Sequence, residues 1–301
     1  GWYLDSTGCL NLTGSIENKA DQSTNMFGKY NSIRSVVAEE NSSIDSLNYL
    51  FLNCSFLTSV DLSKLDISAV KETTGMFEGC KSLKTLDLSC FDTSKVTNMA
   101  FMFEYCNALK EVNLTSFDTS NVITTNYMFE GCSSLEKLDL RSFNTQNVES
   151  AVGMFKGCKS LKTLEFGADF TTENVKSMSE MFSDCASLTK LDLNTFDTSN
   201  VNRMEKMFYG CSSLQTLDVR HFNLSSVYSD ELKNVFTGCN NIRKIGINSA
   251  LLSGTAGQFI GIFSTWKDTA DDTLYCYAKE LQNISGKVTL VRSCKVHTEV
   301  K

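Results

Sequence analysis

Cys54, Cys80, Cys106, Cys132, Cys158, Cys185, Cys211 and Cys239 are separated by 26, 26, 26, 26, 27, 26 and 28 residues. A fixed period between about 20 and 50 residues marks a solenoid, in which one unit cannot bury its apolar face alone and stacks on its neighbours to form a continuous core. Each cysteine from Cys80 onward ends a shared motif, MFEGC at 76–80, MFEYC at 102–106 and then MFEGC, MFKGC, MFSDC, MFYGC and VFTGC. With 42% hydrophobic and 21% charged residues in 301, the chain can build that core, and it has no run of 18 apolar residues long enough to cross a membrane. There is no proline to mark a linker, so the repeats are expected to run without a break.

The coil from Cys80 to Cys106 carries two periods. In TLDLS, Leu86 and Leu88 alternate with Thr85, Asp87 and Ser89, the pattern of a strand with one buried face. From Val96 the apolar spacing becomes three, three and four through Met99, Met102, Phe103 and Cys106, which predicts a short helix. Between them Asp92, Thr93 and Ser94 carry side-chain oxygens that can close a turn and cap the helix. Glycine precedes the cysteine at 79, 131, 157, 210 and 238, where a chain leaving a helix often turns left-handed. Tyr105 and Asp184 depart from this. Either the position does not demand positive φ, the reading adopted, or Tyr105 is a local exception.

Leu83, Leu86, Leu88 and Phe91 stand close to the leucine-rich-repeat pattern. The whole unit resembles the BspA-like leucine-rich repeats of bacterial surface proteins, in the form called domain of unknown function 285. It matches clearly from Met76 to Cys239, with weaker units at Leu50 to Val70 and near Met26 to Ala38, where Tyr30 takes the cysteine position. The expected fold is therefore an α/β repeat solenoid, leucine-rich-repeat-like, with one short strand and one short helix per coil. Residues 1–25 form a β-hairpin cap, 26–248 form about eight coils, and 249–301 form a C-terminal cap in which a strand pair encloses a loop at Asn283 to Gly286.

Zinc favours closely spaced ligand pairs; the chain has no such cysteine pair and only His221 and His297. Strand spacing of about 4.8 Å would permit disulfides between coils, but helical layers stack at about 8–10 Å and the cysteines fall at helix ends. The ladder is read as small, buried, apolar residues. A disulfide between Cys276 and Cys294 would staple the C-terminal cap. The thiols, Cys9 and Cys90 included, suit an oxygen-poor habitat in a surface protein.

Two phenylalanine columns are expected in the core: Phe77, Phe103, Phe129, Phe155, Phe182, Phe208 and Phe236, and Phe91, Phe117, Phe143, Phe170, Phe196 and Phe222. Catalysis is not expected, because the chain shows no nucleophile motif, phosphate loop or isolated carboxylate pair. The net charge of -7 is spread along the repeats, which disfavours nucleic acid.

Two surface features remain. Asp61, Asp87, Asp139, Glu165, Asp192 and Asp218, with Asn113 among them, form an acidic strand column suited to calcium or a basic partner, or else to a solvated face partly neutralised by Lys137, Arg141, Lys190 and Arg220. Phe101, Tyr105 and Tyr127 should form an exposed ring cluster on the helical side, a candidate partner site. The family resemblance implies an extracellular bacterial cell-surface adhesin that binds host or microbial surface and matrix proteins; a monomer without cofactor or metal is expected. The alternative is a spacer that presents another domain. The chain begins abruptly at Gly1, so a signal peptide and wall anchor are expected outside this fragment.

Overall fold

The computed structural model describes residues 1–232, 234–242 and 244–248, and the strands Trp266–Asp268, Leu274–Tyr275 and Lys287–Arg292. The repeats wind into a β-solenoid. Short strands pair in parallel from coil to coil, Cys9–Leu12 with Ser35–Ala38 and then Ser59–Asp61, and Lys190–Leu191 with Thr216–Asp218 and then Lys244–Asn248. Thr85–Asp87 pairs with Glu111–Asn113 and Lys137–Leu140 with Thr163–Phe166 in the same sense. A second parallel ladder of single bridges runs through Glu72, Asn98, Thr124, Ser150, Ser177 and Arg203.

Nine coils follow from one core column: Phe27, Phe51, Phe77, Phe103, Phe129, Phe155, Phe182, Phe208 and Phe236 stack at 5.3–6.0 Å between neighbouring centroids. Trp2, on the strand Trp2–Leu4, packs edge-on against Phe27 at 5.2 Å and covers the first ring. That strand pairs antiparallel with Cys9–Leu12. At the other end, Leu274–Tyr275 and Lys287–Arg292 do not pair with each other; each pairs antiparallel with Trp266–Asp268. Cys276, Cys294 and the loop at Asn283 to Gly286 lie outside the described residues.

The helix expected in each coil is absent among the described residues, whose one helical segment is the 3-10 turn Ser229–Leu232. From Thr73 to Cys80 the amides divide their bonding instead. Thr73, Gly75, Phe77 and Gly79 donate to the next coil, to the carbonyls of Asn98, Ala100, Met102 and Glu104 at 2.7–3.0 Å. Met76, Glu78 and Cys80 donate back within the coil to Thr73, Gly75 and Phe77 at 3.0–3.2 Å. An α-helix keeps its bonds internal and needs about 8–10 Å between axes. A ribbon of turns bonded to its neighbour keeps this side of the coil at the strand spacing of about 4.8 Å. The apolar three-and-four spacing thus belongs to successive turns.

That ribbon demands left-handed backbone. Phe101 and Tyr105 have φ of 61° and 55°, and every coil from Tyr49 to Asn234 repeats positive φ at the Phe101 position. At the Tyr105 position Asp184 has φ 58° and Gly79, Gly131, Gly157, Gly210 and Gly238 have 69–85°. The reading that this position tolerates negative φ is overturned. The glycines are there for left-handed turns, and Tyr105 occupies one at a cost on the order of 1 kcal/mol.

The cysteines close the same corner. Cys80, Cys106, Cys132, Cys158, Cys185, Cys211 and Cys239 each donate Sγ–H to a phenylalanine carbonyl of the preceding coil, Phe51, Phe77, Phe103, Phe129, Phe155, Phe182 and Phe208, at 2.9–3.2 Å. Burial pushes the Cys106 and Cys158 thiols up to about 12, so they stay protonated and donate. The ladder thiols are free, as are the exposed Cys90 and the half-buried Cys9. Wide helical layers do not explain the absence of bridges in the ladder, because there are no such layers among the described residues. Side chains repeated by about 4.8 Å keep their sulfurs about that far apart, against about 2.05 Å for a disulfide, and bridging would break two thiol–carbonyl bonds.

The segment after the strand is explained residue by residue. In FDTS, Asp92 Oδ1 accepts the Ser94 amide at 3.0 Å, and Asp118 and Asp197 repeat this with Ser120 and Ser199. The buried threonines Thr93, Thr119, Thr172 and Thr198 donate Oγ1–H to the next coil's carbonyls, at Asp118, Asn144, Asp197 and Asn223, at 2.7–2.9 Å. These oxygens therefore close turns and tie coils together, where helix capping was expected.

Candidate functional site

The two left-handed columns stand on the turn side and bracket a row of glutamates. Phe101 and Tyr127 stack at 5.4 Å with 13° between ring planes, and both are half-buried where an exposed cluster of three rings was expected. Tyr105 leans over Gly131 instead, where an added Cβ would lie 2.5 Å from its ring, and it is 44% exposed. Tyr127 leans over Gly153 and Tyr49 over Gly75 in the same way, each 2.4 Å from where a Cβ would be. Glycine at these positions is a seat for the previous coil's ring. Tyr49 was not picked out from the sequence, although its spacing of 26 residues from Gly75 matches that of Tyr127 from Gly153.

Beneath the rings, Glu78, Glu104 and Glu130 occupy one repeat position in successive coils, and Glu104 and Glu130 are buried. Burial, then the charges of Glu78 and Glu130, push the Glu104 carboxyl up to about 8. Burial raises Glu78 as well, and Glu78 Oε2 is a buried atom with no hydrogen-bond partner. Tyr105 OH donates to Glu130 Oε1 at 3.4 Å. Lys156 follows in the same row, its Nζ 3.4 Å from Glu130 Oε1 and 2.5 Å from Glu180 Oε2. Three acids at a 26-residue interval were visible in the sequence, but their burial depends on how the rings lean.

The sign of the pH dependence follows from the raised pKa. Glu104 contributes stability that is fully present below its ordinary pKa of 4.5 and is lost as pH rises through about 8. The melting temperature is expected to fall between about pH 4.5 and about pH 8, and Glu104→Gln, which resembles the protonated acid, flattens this fall. Melting curves of the two proteins across that range check it; parallel declines would place the pH dependence elsewhere.

On the strand side the acidic column has a structural use. Asp61, Asp87, Asp139, Asp192 and Asp218 each accept, through Oδ1, the amide two residues later at 3.0–3.1 Å, and Asn113 does so at 3.2 Å. A neutral asparagine serves the same turn, so charge is incidental to it. Arg141 Nε lies 2.9 Å from Asp139 Oδ1, Lys137 Nζ 3.5 Å from Glu165 Oε1, and Arg220 Nε 2.9 Å from Asp218 Oδ1. Hydrogen bonds from Arg141 and Arg220 hold Asp139 and Asp218 below the usual carboxylate range. Glu165, Asp192 and Asp218 border an open hollow of about 740 Å³ with Lys190, Arg220 and Gly246. Among the described residues no three His, Cys, Asp or Glu side chains converge to hold a metal, and no helix is long and apolar enough to cross a membrane.

No curated protein matches the sequence. Among solved structures, the chain is similar to a leucine-rich cell surface protein of Faecalibacterium prausnitzii, with 14% identity, 81% of this chain and 92% of that one covered, and a TM-score of 0.28. A leucine-rich repeat protein of Bacteroides ovatus gives 14%, 83%, 75% and 0.38 in the same order, and one of Eubacterium ventriosum 16%, 79%, 92% and 0.34. The family model described as "Mycoplasma protein of unknown function, DUF285" matches residues 21–137, 75–168 and 133–249, which together span more than half of the sequence, and the chain belongs to that family.

Proposed function

We propose that this solenoid is a non-catalytic protein-binding module of a bacterial cell surface, an adhesin that contacts host or microbial proteins through the turn-side strip of Phe101, Tyr105 and Tyr127. One observation carries the site. Tyr105 keeps a 44% exposed ring on a left-handed residue where other coils place glycine, asparagine or aspartate. Backbone strain under an exposed aromatic is the kind of outlier from which a binding role is inferred. The adhesin role comes from the resemblance to leucine-rich surface proteins. A second reading, a spacer, is favoured by the unbroken phenylalanine column, which serves a rod that only holds another domain away from the cell.

The test is binding of the full chain to an array of extracellular-matrix and microbial surface proteins, beside a Phe101→Ser, Tyr105→Ser, Tyr127→Ser variant. A saturable partner whose affinity falls at least tenfold in the folded variant supports the module and its site. A partner unaffected by the variant discards the strip, and no partner at all favours the spacer.

A further inference from the structure

In the left-handed column that runs through Asn53, Gly79, Tyr105, Gly131, Gly157, Asp184 and Gly210, each side chain leans over the glycine of the next coil. A Cβ added at Gly79 would fall against Asn53 Oδ1, one at Gly131 would lie 2.5 Å from the Tyr105 ring, and one at Gly210 would fall against Asp184 Oδ1. Gly131 has no side chain to lean, so Gly157 is left uncovered. A Cβ at Gly157 would meet only the Gly131 backbone, at 3.5 Å. The side chain next to this open place is the exposed Tyr105 ring, one coil back at about 4.8 Å. The neighbouring column shows what two rings do at that interval, since Phe101 and Tyr127 stack at 5.4 Å. Gly238 is uncovered in the same way, against Gly210 backbone alone, but the side chain over Gly210 is Asp184 and no ring borders it.

Translation by one coil also supplies a polar partner. Tyr105 OH donates to Glu130 Oε1 at 3.4 Å, and Glu130 is the residue before Gly131. The residue before Gly157 is Lys156, half-buried, with its Nζ 3.4 Å from Glu130 Oε1 and 2.5 Å from Glu180 Oε2. An ammonium group has three donors and these two carboxylates take two, which leaves one for an oxygen over Gly157. We infer that a tyrosine side chain of a partner protein seats over Gly157, its ring stacked on Tyr105 and its phenol oxygen accepting from Lys156. This rests on the reading of the turn side as the binding face and adds the chemistry of the partner. A ring with an acceptor at its tip fits this place, because aromatic pairs favour centroids about 4.5–7 Å apart and a charge-assisted hydrogen bond fixes the tip.

The full chain, labelled with nitrogen-15 glycine and carbon-13 tyrosine, is titrated with a capped Gly-Tyr-Gly peptide at millimolar concentrations, beside the same peptide with phenylalanine or leucine in place of tyrosine. The tyrosine peptide is expected to shift the Gly157 amide and the Tyr105 ring saturably and to leave Gly238 unmoved. The phenylalanine peptide should bind at least threefold more weakly, and the leucine peptide should not saturate. Gly157→Asn puts a Cβ where the ring would lie, and asparagine already holds left-handed backbone in this column at Asn53, with φ 60°. Its affinity, read at Tyr105, should fall at least fivefold, and that of Tyr105→Asn, read at Gly157, should fall likewise. Equal responses to the three peptides, or an unchanged affinity in either folded variant, overturn the inference. An array partner lost in the triple serine variant yet retained by Gly157→Asn overturns the tyrosine seat while leaving the binding face intact. A tyrosine-specific response without any array partner supports the seat and counts against the adhesin.

Discussion

Replacing Phe129 with alanine is expected to lower the free energy of unfolding by about 3–5 kcal/mol. The ring is fully buried and lies 5.3 Å from Phe103 and 6.0 Å from Phe155. Its removal opens a cavity that rings in both neighbouring coils border, and inter-coil bonds fix the spacing, so the stack cannot close over it. In a one-dimensional array the loss also weakens two nearest-neighbour interfaces. Urea denaturation of the variant beside the parent measures it. A change below about 1 kcal/mol would mean that the column does not carry the core.

Thr119→Val should cost about 2–3 kcal/mol despite conserving shape. Thr119 Oγ1 donates to the Asn144 carbonyl at 2.8 Å and accepts the Asn144 amide at 2.9 Å, so one hydroxyl serves both backbone groups of the next coil. Valine leaves that donor and acceptor without partners in a part-buried corner. Thr119→Ser keeps the hydroxyl and should lose far less. Equal losses in the two variants by denaturant titration would assign the effect to packing of the methyl group, and no loss in either would show that water replaces the bridge.

Much of the fold was legible because its repeat is nearly exact. The cysteine interval, the Leu86 and Leu88 alternation and both phenylalanine columns are periodic, and a stacked core must reuse positions. The helix was misread because Val96, Met99, Met102, Phe103 and Cys106 are spaced alike by a helix and by successive turns that all return to one side. Only the destination of each amide separates the two, and Gly75, Phe77 and Gly79 donate to the next coil. The acidic column was legible as a column but not in its use, because an aspartate that closes its own turn and one that awaits calcium look alike in sequence. The site was half legible. Phe101, Tyr105 and Tyr127 stood out as departures from the repeat, whereas Tyr49 and the buried glutamates did not.

Sequence alone therefore determined the solenoid, its period and the contents of its core, because burial of a repeated apolar pattern admits no other economical arrangement. The tertiary structure decided that each coil closes through left-handed turns bonded to its neighbour, that cysteine serves as a thiol donor, and that Glu104 and Glu130 lie buried beneath the rings with Glu78 half-buried beside them. Those outcomes depend on contacts between residues about 26 positions apart in neighbouring coils, at a spacing near 4.8 Å that the stack as a whole sets.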